Sequence, residues 1–298
     1  MSTTKNLNLV FFGTSEFAVK ILDKLIENGY VPSLVVTTPD KPQGRKMVLT
    51  PPPVKERITN YESRIKNQIK IIQPEKLNPS LFMIPDSEFS LFIVAAYGKI
   101  IPKSVLEIPK FGTLNVHPSL LPKFRGPSPI QSFILSGSAL GGEKTGVTIM
   151  LMDELVDHGP ILSISNLKSK NSNLNAKELE EKLAELGGQM LVDVISKWVK
   201  REIKAQEQDH AKATFTKKIT KEDGLVDLEK NSPEIVYRKF LAFQPWPGIY
   251  YFTEKDGSKI RVIITDMELS ETGELKIKKV KPEGRNEMSY EDFLKGNR

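Results

Sequence analysis

Asn8-Leu-Val-Phe-Phe-Gly-Thr-Ser-Glu-Phe-Ala-Val-Lys-Ile-Leu-Asp-Lys-Leu-Ile-Glu-Asn-Gly-Tyr-Val-Pro-Ser-Leu-Val-Val-Thr-Thr38 is the stretch that decides the fold. Its first five residues form a short apolar run closed by Gly13, the pattern of a strand buried on both faces. Thr14 or Ser15 then stands where a helix cap belongs, and Phe17, Ile21, Leu22 and Leu25 fall on one helical face before Asn28-Gly29 ends it. Leu34 to Thr38 is apolar and β-branched again. A strand–helix–strand unit of this kind builds a parallel sheet with right-handed crossovers.

Working outward, Pro39 to Pro53 is a long proline-rich, basic loop containing Lys41, Gln43-Gly44-Arg45-Lys46 and Pro51-Pro52-Pro53. Such a loop inside a compact domain is commonly functional or disordered. Leu91 to Ala96, Thr113 to His117 and Gly146 to Met152 read as further strands, and a helix is expected to start near Ile130. The stripe Leu179, Leu183, Leu186, Met190, Val194 and Trp198 predicts a helix over 176–199, with Asn175 and Glu178 as a capping pair. Alternating strands and helices give an α/β fold with a Rossmann-like open, parallel-type sheet. Residues 1–200 form this expected domain, 201–213 a polar linker, and 214–298 a smaller β-rich domain with strands over 248–252, 259–264 and 274–280.

Composition narrows the classes. The chain lacks cysteine, so disulfides, thiolate zinc sites and thiol nucleophiles are excluded. Residues 1–6 are polar and lack the apolar segment of a signal peptide. No run approaches the roughly 20 apolar residues that span a bilayer, so a cytoplasmic location without membrane partners is expected. A net charge of +6 hints at an anionic partner without naming one. Gly13-Thr-Ser-Glu-Phe-Ala18 is not a dinucleotide-binding glycine pattern, which disfavours bound NAD.

The chemistry-bearing residues lie on and after the strand from Thr113 to His117. Asn115 and His117 are two apart, so they share one face, and Pro118 places them at the C-terminal end of the strand. Ligands of open α/β sheets bind at that end. An amide donor beside an imidazole suits oxyanion stabilisation and proton transfer. The plain alternative is two polar residues finishing a strand. Asp157 is a candidate partner for His117, or simply a turn former. His158 follows it, and His210 lies in the polar linker, where solvation is expected. These contexts argue against a metal site. Pro118, Pro122, Pro127 and Pro129 stiffen the loop from Ser119 to Gly126, whose amides could be preorganised for a ligand. Lys41, Arg45, Lys46, Lys55 and Arg57 form one basic cluster; Lys276, Lys278, Lys279, Lys281 and Arg285 form another. Either could track phosphates or be a solvated surface.

These segments, taken in order, resemble the folate-dependent formyltransferases, and within them the methionyl-tRNA formyltransferases. The resemblance rests on Phe12-Gly-Thr-Ser-Glu-Phe-Ala18, Thr38-Pro-Asp-Lys-Pro-Gln-Gly-Arg45, Ala95-Ala-Tyr-Gly-Lys-Ile-Ile-Pro102, Asn115-Val-His117, Ser119-Leu-Leu-Pro122, Arg125-Gly126, Thr145 to Met150, Asp157 and Pro245-Trp-Pro247. It implies 10-formyltetrahydrofolate as donor, no metal, and the α-amine of methionyl initiator tRNA as acceptor, the enzyme acting as a monomer. Asn115, His117 and Asp157 would be catalytic. Ser119, Leu120, Leu121 and Pro122, with backbone near Val94 to Tyr97, would line the folate site. Arg45 and Lys46 would approach the tRNA, and the second domain would be OB-like. The nearest alternative is a formyltransferase acting on an amino-sugar nucleotide. The chain departs from the family pattern in a longer segment from Ser136 to Lys144, in His158, and in an expected missing strand pair between Ile264 and Leu275.

Overall fold

The computed structural model describes residues 7–44, 46–83, 88–139, 142–168, 173–255 and 257–296. In chain order the elements are β1 (Leu9–Gly13), α1 (Glu16–Glu27), β2 (Leu34–Val36), β3 (Lys41–Gln43), β4 (Val48–Thr50), α2 (Pro53–Thr59), α3 (Ser63–Lys66), β5 (Lys70–Ile72) and β6 (Leu91–Ala95). There follow α4 (Lys103–Leu106), β7 (Thr113–His117), α5 (Pro129–Leu135), β8 (Gly146–Leu151), β9 (Ile161–Asn166) and α6 (Ala176–Val199). The chain ends with α7 (Pro233–Ala242), β10 (Ile249–Lys255), β11 (Ser258–Leu269), β12 (Leu275–Pro282), β13 (Met288–Ser289) and α8 (Tyr290–Lys295).

Two compact units result. The first comprises Met1–Pro127, Thr145–Lys168 and Glu180–Phe215; the second, Ser128–Lys144, Ser169–Leu179 and Thr216–Arg298. In the first unit a seven-stranded sheet has the order β5-β2-β1-β6-β7-β8-β9. Strands β5 to β7 of that order run parallel, whereas β8 is antiparallel to β7 and β9 to β8. The chain steps outward from β1 through β2 to β5 and then returns to β6 on the other side of β1. This reversal opens the sheet at the C-terminal ends of β1 and β6, where α/β folds place ligands.

The strands β1, β6 and β7 are buried along their whole length, as expected of strands covered on both faces. Phe17, Ile21, Leu22 and Leu25 of α1 are almost completely buried. Each such side chain contributes on the order of 1.5–3 kcal/mol by leaving water. Ser15 is the N-cap of α1 but makes no side-chain cap bond. Thr14 Oγ1 instead donates to the Tyr97 carbonyl at 2.9 Å, tying the loop after β1 to the loop after β6. The Asn175–Glu178 capping box forms as read: each backbone N–H meets the other's side-chain oxygen, at 2.9 and 3.0 Å. The long loop contains structure that its composition did not show, because β3 and β4 pair as an exposed hairpin.

The second unit holds an antiparallel sheet in the order β10-β11-β12-β13, with α7 against β11, α8 against β12 and α5 against α7. The stretch that read as strand-poor after Ile264 continues β11 to Leu269, past a register shift at Thr265. That irregularity breaks the alternation from which a strand is read. Among the described residues no pairing joins β10 to β13. No described helix is long and apolar enough to cross a membrane.

Candidate active site

β7 lies between β6 and β8, with Val94 opposite Asn115 on one side and Thr148 opposite His117 on the other. The alternation of a strand puts Asn115 and His117 on one face and Val116 on the other. Both polar side chains are buried. Asp157 comes from the turn after β8. Its backbone sits at φ 48°, a left-handed conformation uncommon for a side-chain-bearing residue. Gly159 makes that turn possible: a Cβ there would lie 2.1 Å from the Leu151 carbonyl oxygen.

These elements bring the expected trio together. Asn115 Nδ2 lies 3.3 Å from Asp157 Oδ1, and His117 Nδ1 lies 3.5 Å from the same oxygen. The other carboxylate oxygen accepts the Gly126 N–H at 2.7 Å. On the far side of the imidazole, Nε2 faces the Phe124 carbonyl at 3.1 Å. A carbonyl only accepts, so Nε2 carries a proton in this contact. The chemical content is an amide donor, a titratable ring and an oriented carboxylate within reach of one point at the strand end.

The loop after β7 differs from expectation in one respect. The amides of Ser119 and Leu121 bond to His117 O and Thr148 Oγ1 at 2.9 and 3.1 Å, and that of Lys123 bonds to Leu120 O at 3.1 Å. Phe124 and Arg125 N–H groups both go to Thr214, at 2.8 Å each. Thr148 Oγ1 donates to Ser119 O at 2.7 Å, and Ser119 Oγ donates to Lys123 O at 2.7 Å. These donors hold the loop in shape rather than standing free for a ligand. Leu121 is buried, and Leu120 and Pro122 are partly buried.

The basic residues separate on inspection. Lys46 is exposed on the β3–β4 hairpin, while Arg45 lies outside the described residues. Lys55 is bound by Asp40 at 2.8 Å and Gln73 at 2.8 Å; this pairing holds the Asp40 carboxyl below its usual range. Arg57 is held by Asp23 at 2.9 Å and covers the Tyr61 ring. In the second cluster Lys278 pairs with Glu268. Among the described residues no group of three or more His, Cys, Asp or Glu is arranged to hold a metal ion.

Sequence reasoning missed two buried side chains next to Asp157. Arg125 had been quoted only as part of a motif, and Gln208 was hidden in a stretch whose polarity read as linker. That stretch is anchored: Ile161 and Gln206 exchange backbone bonds of 2.7 and 2.9 Å, and Gln208 is buried. His210 is exposed, as its surroundings suggested, but it is not free. Its ring stacks on His158 with centroids 4.1 Å apart, and Arg125 reaches its Nδ1 at 2.9 Å. His158 in turn faces Asp153 at 2.6 Å.

Comparison with known proteins identifies the family to which the sequence is similar. The family described as formyl transferase matches residues 7–195, and the formyl transferase C-terminal domain matches residues 218–274. The chain is 37% identical to the methionyl-tRNA formyltransferase of Halalkalibacterium halodurans, over 97% of this chain and 95% of that protein. It is 35% identical to the Bacillus subtilis methionyl-tRNA formyltransferase, over 97% and 94% of the two chains. Among solved structures, its fold is similar to a methionyl-tRNA formyltransferase from Clostridium thermocellum, with TM-score 0.59, 18% identity, and coverage of 93% and 98%. A 4-N formyltransferase from Francisella tularensis gives TM-score 0.60 at 20% identity, with coverage of 85% and 95%. At such identities the structural likeness speaks for the fold alone.

Proposed function

Because the chain belongs to the methionyl-tRNA formyltransferase family, we propose that Asn115, His117 and Asp157 form the centre at which it formylates methionyl-tRNA. The observation that carries this reading is Asp157 Oδ1 standing 3.3 Å from Asn115 and 3.5 Å from His117 at the end of β7. The donor is 10-formyltetrahydrofolate and the acceptor is the α-amine of methionyl initiator tRNA.

In the reaction the amine nitrogen attacks the formyl carbon, and the carbonyl electron pair moves onto oxygen. Asn115 Nδ2 and the Nε2–H of His117 donate to that oxyanion, the larger share of the acceleration in such sites. Asp157 accepts the proton leaving the amine; the oxyanion pair then re-forms the carbonyl as the bond from the folate nitrogen to the formyl carbon breaks, and the folate nitrogen takes up that proton. The 3.5 Å gap from Asp157 to His117 is longer than a formed hydrogen bond. Catalytic contacts commonly tighten only when substrate is bound. Ligand entry also frees His117 Nε2 from the Phe124 carbonyl. Ser119, Leu120, Leu121 and Pro122 line the folate site, the amides of Ser119 and Leu121 and the Ser119 hydroxyl fixing the loop's shape within the protein. Arg45 and Lys46 meet the tRNA backbone, a reading supported by the exposure of Lys46 on the β3–β4 hairpin.

The test is an acceptor assay with 10-formyltetrahydrofolate. Purified protein is expected to formylate methionyl-tRNA and not free methionine. Product formed only with an amino-sugar nucleotide would replace the acceptor, and no formyl transfer to any amine would remove the reading.

A further inference from the structure

Gln208 is a buried carboxamide whose hydrogen-bonding capacity is spent around Asp157. Its Nε2 donates to the Asp157 carbonyl at 3.0 Å and to the Gly159 carbonyl at 2.7 Å. Its Oε1 accepts from Arg125 Nε at 3.2 Å and Nη2 at 2.7 Å. Arg125 is itself buried, and the residue after it, Gly126, donates its N–H to Asp157 Oδ2. The bonds therefore close a circuit from the Asp157 carboxylate, through Gly126 and Arg125, to Gln208 and back to the Asp157 carbonyl.

The circuit holds a backbone that would not hold itself. Asp157 is at φ 48°. A residue with a side chain takes up this conformation uncommonly, and keeps it where its surroundings impose it. Only an amide side chain supplies two donors for the carbonyls and one acceptor for the guanidinium. Leu supplies neither, and Glu keeps the acceptor but has no donor to give. Arg125 Nη2 also reaches His210 Nδ1. A guanidinium only donates, so that nitrogen accepts and the His210 proton sits on Nε2.

We propose that Gln208, braced by Arg125, is a positioning residue for formyl transfer, setting Asp157 against Asn115 and His117. The proposal rests on the catalytic role given above to Asp157. Gln208 touches no reacting atom; its effect passes through Asp157 alone.

A mutant cycle separates this from a purely structural role. Gln208→Glu and Gln208→Leu are made alone and together with Asp157→Asn. Single-turnover kcat, KM for both substrates and Tm are then measured. Gln208→Glu keeps its pairing with Arg125 and sets an oxygen against two carbonyls. We expect its kcat to fall about 10- to 100-fold, as for a catalytic group displaced by part of an ångström. KM should stay near wild type, and Tm should fall by no more than a few degrees, the cost of two carbonyls left without a donor. In the Asp157→Asn background the same change should cost less than about threefold, since residues acting through one group are not additive. Wild-type kcat in Gln208→Glu overturns the proposal, as does a full multiplicative loss on top of Asp157→Asn. Failure of both Gln208 variants to fold makes the residue a prop and also overturns it. If Asp157→Asn alone retains wild-type kcat, it is the catalytic reading of Asp157 that fails. A slow Asp157→Asn beside a normal Gln208→Glu removes this inference only.

Discussion

Tyr97 packs its ring edge-on against Phe12, and its hydroxyl is buried with no hydrogen-bond partner among the described residues. Burial pushes its phenol up to about 12. The folded protein thus holds this proton more tightly than the unfolded chain, whose tyrosine titrates near 10. The associated stability is complete below about pH 10 and is lost as pH rises through about 12. Tyr97→Phe removes both the orphan hydroxyl and this alkaline loss. Its Tm at pH 7 should equal or slightly exceed wild type, and its decline between about pH 10 and 12 should be shallower. A Tm several degrees lower at pH 7 would show that the hydroxyl is partnered in solution. At this scale the sequence made Asn115 and His117 legible, because period-two spacing and Pro118 place them without further information. Asp157 was legible only as one candidate among turn residues. Gln208 and the Phe124 carbonyl were not legible at all. Their significance lies in contacts across the fold, and Gln208 is 51 positions from the residue it holds.

Among elements, α6 shows how a helix is fitted beneath the strand that carries Asn115 and His117. A Cβ at Gly187 would lie 2.8 Å from Val116 Cγ1, and one at Gly188 would lie 2.8 Å from Lys24 Cβ. Glycine inside a helix costs roughly 1 kcal/mol against alanine. The pair is retained because the helix must come this close to β7 and α1. Gly187→Ala regains the helix propensity but forces the helix off Val116, which β6 and β8 hold on both sides. Overpacking of a core typically costs about 1–3 kcal/mol and should prevail here. A urea melt should show a lower midpoint, with kcat reduced because Val116 lies between Asn115 and His117. An unchanged midpoint would mean that the contact relaxes freely. The boundaries of α6 and its cap were readable because a long amphipathic stripe and a reciprocal cap are local signals. The hairpin β3–β4 was not, since both strands are only three residues long and exposed, β3 contains Pro42, and neither alternates. The antiparallel edge formed by β8 and β9 was hidden for a related reason: strand direction is set by connections and not by residue pattern.

Across the whole molecule the two basic clusters are less available than they look, because Lys55, Arg57 and Lys278 are bound to carboxylates. What remains for an anionic partner includes the exposed Lys46 of the hairpin loop. Changing Arg45 and Lys46 together to Ala should weaken methionyl-tRNA binding and lower the slope of log K against log salt by about one to two. An unaltered slope would place the contact elsewhere. The architecture as a whole was legible from the opening strand–helix–strand unit and the change of pattern beyond residue 213. The bulge that extends β11 was not, because an inserted residue erases alternation where it occurs. The account turns on His117 as a group that acts on the reacting atoms. The direct measurement is the single-turnover rate of formyl transfer from 10-formyltetrahydrofolate to methionyl-tRNA by His117→Ala, alongside its tRNA affinity. The predicted result is a rate lower by roughly 10²-fold or more with tRNA affinity retained; a rate equal to wild type would contradict it.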